Sequence, residues 1–184
     1  MIEKNKLGML LFLASEAFFF ALLILAYVYY RGASAEGPNA ATSLDVATAS
    51  IFTVFLLGSS GTLWLAERNM AQERPAGMRL WLLVTIVFGA VFLIGQGREY
   101  LHLFSENVTI SRNLFGTTFF TLTGFHGLHV FSGLVALTIL FGLTLAGWFK
   151  GPHAVAIEAV GWYWHFVDVV WIVIFSIIYL WSRI

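Results

Sequence analysis

The amino-acid sequence predicts an all-α, polytopic membrane protein, folded as a bundle of five transmembrane helices. Three observations carry that reading. The 184 residues are 59% hydrophobic and only 11% charged, with a mean hydropathy of +0.84, whereas soluble domains hold roughly 25% charged residues. The apolar residues are gathered into five runs, each near or above the ~20 residues that cross the hydrocarbon core of a bilayer. The only prolines, Pro38, Pro75 and Pro152, fall at the gaps between the runs, where a missing amide hydrogen breaks no helical bond.

The expected helices cover 7–30, 44–66, 78–101, 114–148 and 155–182, within a single membrane domain spanning 1–184. The connections are short, so no water-soluble domain is left over. The first run resembles a signal peptide at its start. It extends to Tyr30, however, and contains Glu16, so it is read as a retained helix. No internal repeat of the secondary-transporter kind is visible, and five helices divide poorly into two halves.

Charge and cysteine content narrow the function. Lys and Arg together number 10, as do Asp and Glu, so no basic surface points to nucleic acid. There is no cysteine, which excludes disulfides, thiolate zinc sites and iron–sulfur clusters. Short-loop cations divide between Lys4, Lys6, Arg68, Arg74, Arg79 and Lys150 on the N-terminal side and Arg31, Arg98, Arg112 and Arg183 on the other. That bias places the N-terminus in the cytoplasm and the C-terminus outside.

Polar residues inside the apolar runs are the functional candidates. Glu16 lies ~14 Å into the first run at 1.5 Å per residue, where a charge costs roughly 2.5–3.5 kcal/mol. It is either a protonated carboxyl bonded to a neighbouring helix or a proton-relay group. In the second run Gly58, Ser59, Ser60 and Gly61 permit close helix approach. The third ends GQGREYLH, where Gln96, Glu99 and His102 share a face beside Arg98. This cluster either anchors the helix end or touches a lipid phosphate or partner subunit. Trp162 and Trp164 are further candidates for lipid or subunit contact.

The fourth run carries His126 and His129, about 60° apart in helical projection, with Gly124, Gly127 and Gly133 for close approach. In the last, EAVGWYWHFVDVVWIVIFSIIYLW, the residues Glu158, Gly161, His165 and Asp168 fall in one stripe about 80° wide, with Trp164 and Trp171 outside it. A polar stripe on an apolar helix needs protein rather than lipid against it. His126, His129, His165 and Asp168 are a conceivable metal set. A haem would need His165 opposite His126 or His129, since residues three apart on one helix cannot clamp both faces. Histidine hydrogen-bonded across helices is the simpler reading.

The segments GTTFFTLTGFHGLHV and EAVGWYWHFVDVVWIVIFSIIYLW resemble the last two helices of subunit III of the haem–copper cytochrome oxidases. GMLLFLASEAFFFALLILAYVYY is similar to that family's third helix, intramembrane glutamate included, and GREY followed by FGTTFF keeps the family's order. The resemblance covers essentially the whole chain. The common seven-helix form has two further helices before the glutamate-bearing one, which enclose a lipid cleft. This chain begins where the third would begin and is similar to the short five-helix bacterial form.

The resemblance implies a non-catalytic subunit of a proton-pumping terminal oxidase in a bacterial plasma membrane. Such a subunit packs on subunit I, stabilises it and assists proton uptake. It would hold no catalytic residue, metal or cofactor itself, the haems and copper lying in subunits I and II. Its partners would be those subunits, phospholipids and, in some bacteria, a larger respiratory supercomplex. On this view Glu16, His126, His129, Glu158, His165 and Asp168 form one buried polar network between the first, fourth and fifth helices. A quinol oxidase subunit III, a stand-alone membrane haem protein and a small proton or ion transporter are the alternatives.

Overall fold

The computed structural model describes residues 4–31, 39–111, 114–147 and 153–183. Pro38, Arg112, Lys150 and Pro152 lie outside the described residues, as do Trp148 and the side chains of Lys4 and Arg183. Among the described residues there are helices and turns but no strand. The helices are α1 (Lys4–Arg31), the one-turn α2 (Ala40–Ser43), α3 (Val46–Ala71), α4 (Pro75–Ser105), α5 (Leu114–Leu145) and α6 (His153–Phe175). A π-helical turn, Ser176–Leu180, and a 3-10 turn, Trp181–Arg183, continue α6. Five of these helices are long and apolar enough to cross a membrane.

The helix ends follow from local chemistry. Asn39 caps α2 by accepting from the amides of Ala41 and Thr42 at 3.0 and 3.1 Å. Asp45 caps α3 by accepting from the Ala47 amide at 3.0 Å, which satisfies a donor that has no partner inside the helix. Helix α3 closes with Glu73 in the left-handed region (φ 55), where Arg74 N donates to Asn69 O and Glu73 N to Met70 O. Helix α4 ends the same way at Asn107 (φ 61), with Val108 N bonded to Leu103 O and Asn107 N to Phe104 O. Both are Schellman ends, and at the second the flanking Leu103 and Val108 are buried. Pro75 belongs to α4 rather than to a gap: it takes the first helical position, where its fixed φ suits the helix. Helix α4 also runs a turn past 101, to Ser105.

Helices α3 and α4 form an antiparallel hairpin through the tight turn at Gln72–Arg74. Helix α6 is the central element, packing on α1, α3 and α5. Helices α1 and α6 run parallel and are tied at both ends. Lys6 Nζ donates to Glu158 Oε1 at 2.9 Å and lies 5.9 Å from the Trp162 ring. At the far end Arg31 Nη2 donates to Trp181 O at 2.8 Å and its guanidinium sits over the Trp181 ring. Leu11, Phe18, Leu22, Leu25 and Tyr29 stay exposed on the opposite face of α1, a surface that lipid or a neighbouring subunit covers in a membrane.

The core is organised by Trp164, which is fully buried. Its indole lies in a notch made by Gly89 of α4 and Gly133 of α5. A Cβ at Gly89 would meet Trp164 Cη2 at 2.7 Å, and a Cβ at Gly133 would meet Cε3 at 2.7 Å. The indole N–H donates to Ser59 Oγ of α3 at 2.8 Å, so one side chain of α6 engages three other helices. The expectation that Trp164 touches lipid or a partner subunit is therefore corrected. The ring lies inside the bundle because two glycines leave it room and a serine satisfies its polar edge.

A Gly133→Ala variant should lose about 1–3 kcal/mol, the usual cost of overpacking, and melt lower in detergent. A Cβ at Gly142 meets nothing within 4 Å, so Gly142→Ala should hold the thermal midpoint or raise it slightly, alanine being the better helix former.

Candidate functional site

The intramembrane polar groups do not form one network. They lie in separate units on different helix seams. The first is Glu16 with His129. Helix α1 presents Glu16 to α5, and Glu16 Oε2 lies 2.9 Å from His129 Nε2, with the two side chains 20% and 15% exposed. His129 Nδ1 is 2.7 Å from Phe125 O. A carbonyl only accepts, so Nδ1 carries a hydrogen and Nε2 faces the carboxyl. One proton is then shared across the Glu16–His129 bond, as carboxyl and imidazole or as carboxylate and imidazolium. Tyr163 of α6 donates to His129 O at 3.0 Å, and Phe20 meets the imidazole edge-on at a ring-centre distance of 4.9 Å.

His126 points elsewhere, although it lies one helical turn away. It is fully buried, stacked on Trp171 at 4.8 Å with Phe92 and Phe20 edge-on. Neither of its ring nitrogens has a hydrogen-bond partner among the described residues.

His165 and Asp168 meet α3, a helix that the expected network left out. Ser60 Oγ is 2.9 Å from His165 Nδ1 and donates to Asp168 Oδ2. Asp168 is buried, and its Oδ1 has no partner among the described residues. Glu158 sits at the membrane edge on Lys6, and nearby Glu67 of α3 lies over Gly161, in the space a Cβ there would occupy. The stripe of α6 thus faces α3 and α1, not α5. The three histidines do not converge, and among the described residues no group of three or more His, Asp or Glu could hold a metal ion.

At the opposite membrane face α3, α4 and α6 enclose a groove of about 430 Å³, whose lining includes Phe52, Arg98, Glu99, His102, Trp171 and Tyr179. Tyr179, in the π-helical turn, donates to Glu99 Oε2 at 2.6 Å. His102 Nε2 lies 3.5 Å from Glu106 Oε1. Beneath the groove Gln96 donates to Thr123 O at 2.7 Å and fills the space opened by Gly127. Trp162 is half-buried beside Lys6. Sequence reasoning missed Ser60 and Tyr179 as partners of acidic residues. Ser60 registers first as a small residue, and only its place opposite two polar residues of α6 reveals its second role.

With this arrangement in view, comparison with known proteins is decisive. The family profile described as cytochrome c oxidase subunit III matches residues 2–183. The chain belongs to the cytochrome c oxidase subunit III family. It is 39% identical over 175 residues to a Nocardia farcinica protein named "Probable cytochrome c oxidase subunit 3", covering 95% of this chain and 86% of the relative. It is 37% identical over 174 residues to a Mycobacterium leprae protein of the same name, with the same coverage of 95% and 86%. A Thermostichus vulcanus protein named "Cytochrome c oxidase subunit 3" is 36% identical over 182 residues, covering 98% of this chain and 89% of the relative. Membership and the five apolar helices make this a multi-pass membrane subunit of a haem–copper oxidase complex.

Removing one partner of a buried bond leaves the other unsatisfied, at a cost of about 1–3 kcal/mol. His129→Leu should therefore lower the thermal midpoint of the subunit. The double variant Glu16→Leu/His129→Leu should recover part of that loss, as a double-mutant cycle would register.

Proposed function

We propose that this subunit III packs on subunit I of a proton-pumping oxidase, contacts subunit II, and assists proton uptake through Glu16 and His129. The haems and copper belong to subunits I and II, cytochrome c is the electron donor, and this chain holds no cofactor of its own. The assembly lies in a bacterial plasma membrane with the N-terminus of this chain inside and its C-terminus outside. In support, Lys6, Arg68, Arg74 and Arg79 lie at one end of the bundle, and Arg31 and Arg98 at the other. Phospholipid headgroups fit the groove beside Arg98, Glu99 and His102, which exposed Arg98 lines together with Phe52, Phe92 and Trp171. The resemblance of the relatives and the make-up of the polar units support this reading jointly.

The observation that carries it is the 2.9 Å approach of Glu16 Oε2 to His129 Nε2, with His129 Nδ1 held on Phe125 O. A carboxyl in the middle of the bilayer is rare enough to be read as functional by default. Here it faces an imidazole whose tautomer is fixed by a backbone carbonyl, so the pair takes up or releases a proton at one defined position. Both side chains keep some exposure in the isolated chain.

In the assembled oxidase, Glu16→Ala should leave the haem content unchanged while slowing proton uptake or shortening the active lifetime during turnover. Stopped-flow proton-uptake traces and activity decay under continuous turnover measure the two effects. Wild-type uptake, lifetime and pH dependence together would reduce Glu16 to a packing residue.

A further inference from the structure

A second cluster of titratable side chains lies on the α3–α6 seam, away from Glu16 and His129. The hydroxyl of Ser60 stands between two titratable side chains, 2.9 Å from His165 Nδ1 and hydrogen-bonded to Asp168 Oδ2. His165 and Asp168 are three residues apart, so they project from one face of α6. Ser60 comes from the middle of α3. At 1.5 Å per residue it lies ~20 Å from the start of that helix, deep in the membrane. Two indole bonds bracket the group along the α3–α6 seam and hold its register. Trp164 Nε1 donates to Ser59 on one side, and Trp171 Nε1 donates to Thr53 at 3.0 Å on the other.

A serine hydroxyl has one hydrogen to give, so it cannot donate to both neighbours at once. When it donates to Asp168, the carboxylate accepts and His165 Nδ1–H donates to the serine oxygen. When it donates to His165 Nδ1, that nitrogen is bare and Asp168 must itself carry a proton and donate to the serine. The two arrangements interconvert by a paired shift. The Asp168 O–H bond breaks as a new Ser60 O–H bond forms, and the old Ser60 O–H bond breaks as Nδ1–H forms. One proton passes from carboxyl to imidazole, the serine ends unchanged, and nothing else is consumed.

The two ends of the group are unlike. Asp168 is 3% exposed and its Oδ1 is unpartnered, which makes it the closed end. His165 is half-buried, and its Nε2 takes no hydrogen bond among the described residues, which makes it the open end. Along the same seam the nearest further acid is Glu67, which lies over Gly161, one turn before His165 on α6. We propose that Ser60, His165 and Asp168 form an intramembrane proton relay, in which the serine hydroxyl hands a proton between a closed carboxyl and an open imidazole. The relay is built wholly from α3 and α6 and does not depend on the role given to Glu16.

The test is magnetic resonance on the intact complex, extracted with this subunit labelled with 13C-aspartate and 15N-histidine. Asp168→Asn and His165→Gln assign the two signals. At fixed pH, with temperature as the only variable, the carboxylic-acid signal of Asp168 should fall as the imidazolium signal of His165 rises, by equal amounts. Ser60→Thr, which keeps the hydroxyl, should preserve that covariance, and Ser60→Ala should abolish it. Signals that stay fixed, that vary independently in the wild type, or that still move together in Ser60→Ala overturn the relay. The wild-type covariance decides the matter even where Ser60→Ala fails to assemble. Because the readout is the protonation of these two side chains, the result stands apart from any effect of Glu16 on oxidase activity.

Discussion

The bundle depends on the lodging of Trp164 between Gly89 and Gly133, with its indole N–H on Ser59. Helices in lipid gain little from hydrophobic association, because the tails are as apolar as the side chains. They associate through close packing and interhelical hydrogen bonds instead. One large ring filling a two-glycine notch supplies the packing, and one buried N–H bond supplies the direction. Together they fix how far α3, α4 and α5 stand from α6 and at what register. The seams that carry the polar units inherit that register. Ser60 follows Ser59 directly, so the bond that seats Trp164 also sets where Ser60 meets His165 and Asp168.

The same low-polarity medium explains why the ionisable groups come in small closed units. An unpaired polar atom is costly where water is scarce, and each acid therefore meets its partner across the nearest seam. Glu16 finds His129 between α1 and α5. Asp168 and His165 find Ser60 between α6 and α3. At the edges, where water returns, the pairs become ordinary surface contacts: Glu158 with Lys6 on one face, His102 with Glu106 on the other. His126 departs from this pattern, its ring enclosed by Trp171, Phe92 and Phe20 with neither nitrogen satisfied within the described residues, and the buried Tyr27 hydroxyl and Asp168 Oδ1 are likewise without a partner there. The His126 ring is held by stacking on Trp171 at 4.8 Å.

Much of the fold was legible because hydropathy and length are one-dimensional properties. The five spans and the polar stripe on the last segment follow from the order of residues. Helix ends were less legible. The left-handed closures at Glu73 and Asn107 use residues other than glycine, and α4 gains a further turn because Leu103 and Val108 bury together beyond it. Trp164 was misjudged for a physical reason: tryptophan near a span is usually an interfacial anchor, and only the facing glycines of two other helices show that this one has room inside. The candidate site was legible in its residues but not in its pairings. Helical spacing says which side chains share a face of α6, but which helix covers that face is a tertiary fact. Thus α3, read from the sequence only as a source of small residues, turned out to supply Ser60.

This chain is one subunit of a larger haem–copper oxidase complex. The most direct measurement is a native extraction: the chain is tagged, solubilised in mild detergent and purified with whatever it holds, and a reduced-minus-oxidised spectrum is recorded with oxygen consumption on added reduced cytochrome c. A haem signature, larger co-purifying subunits and oxygen uptake are the expected result. A chain that emerges alone and colourless, with no oxygen uptake, would contradict it.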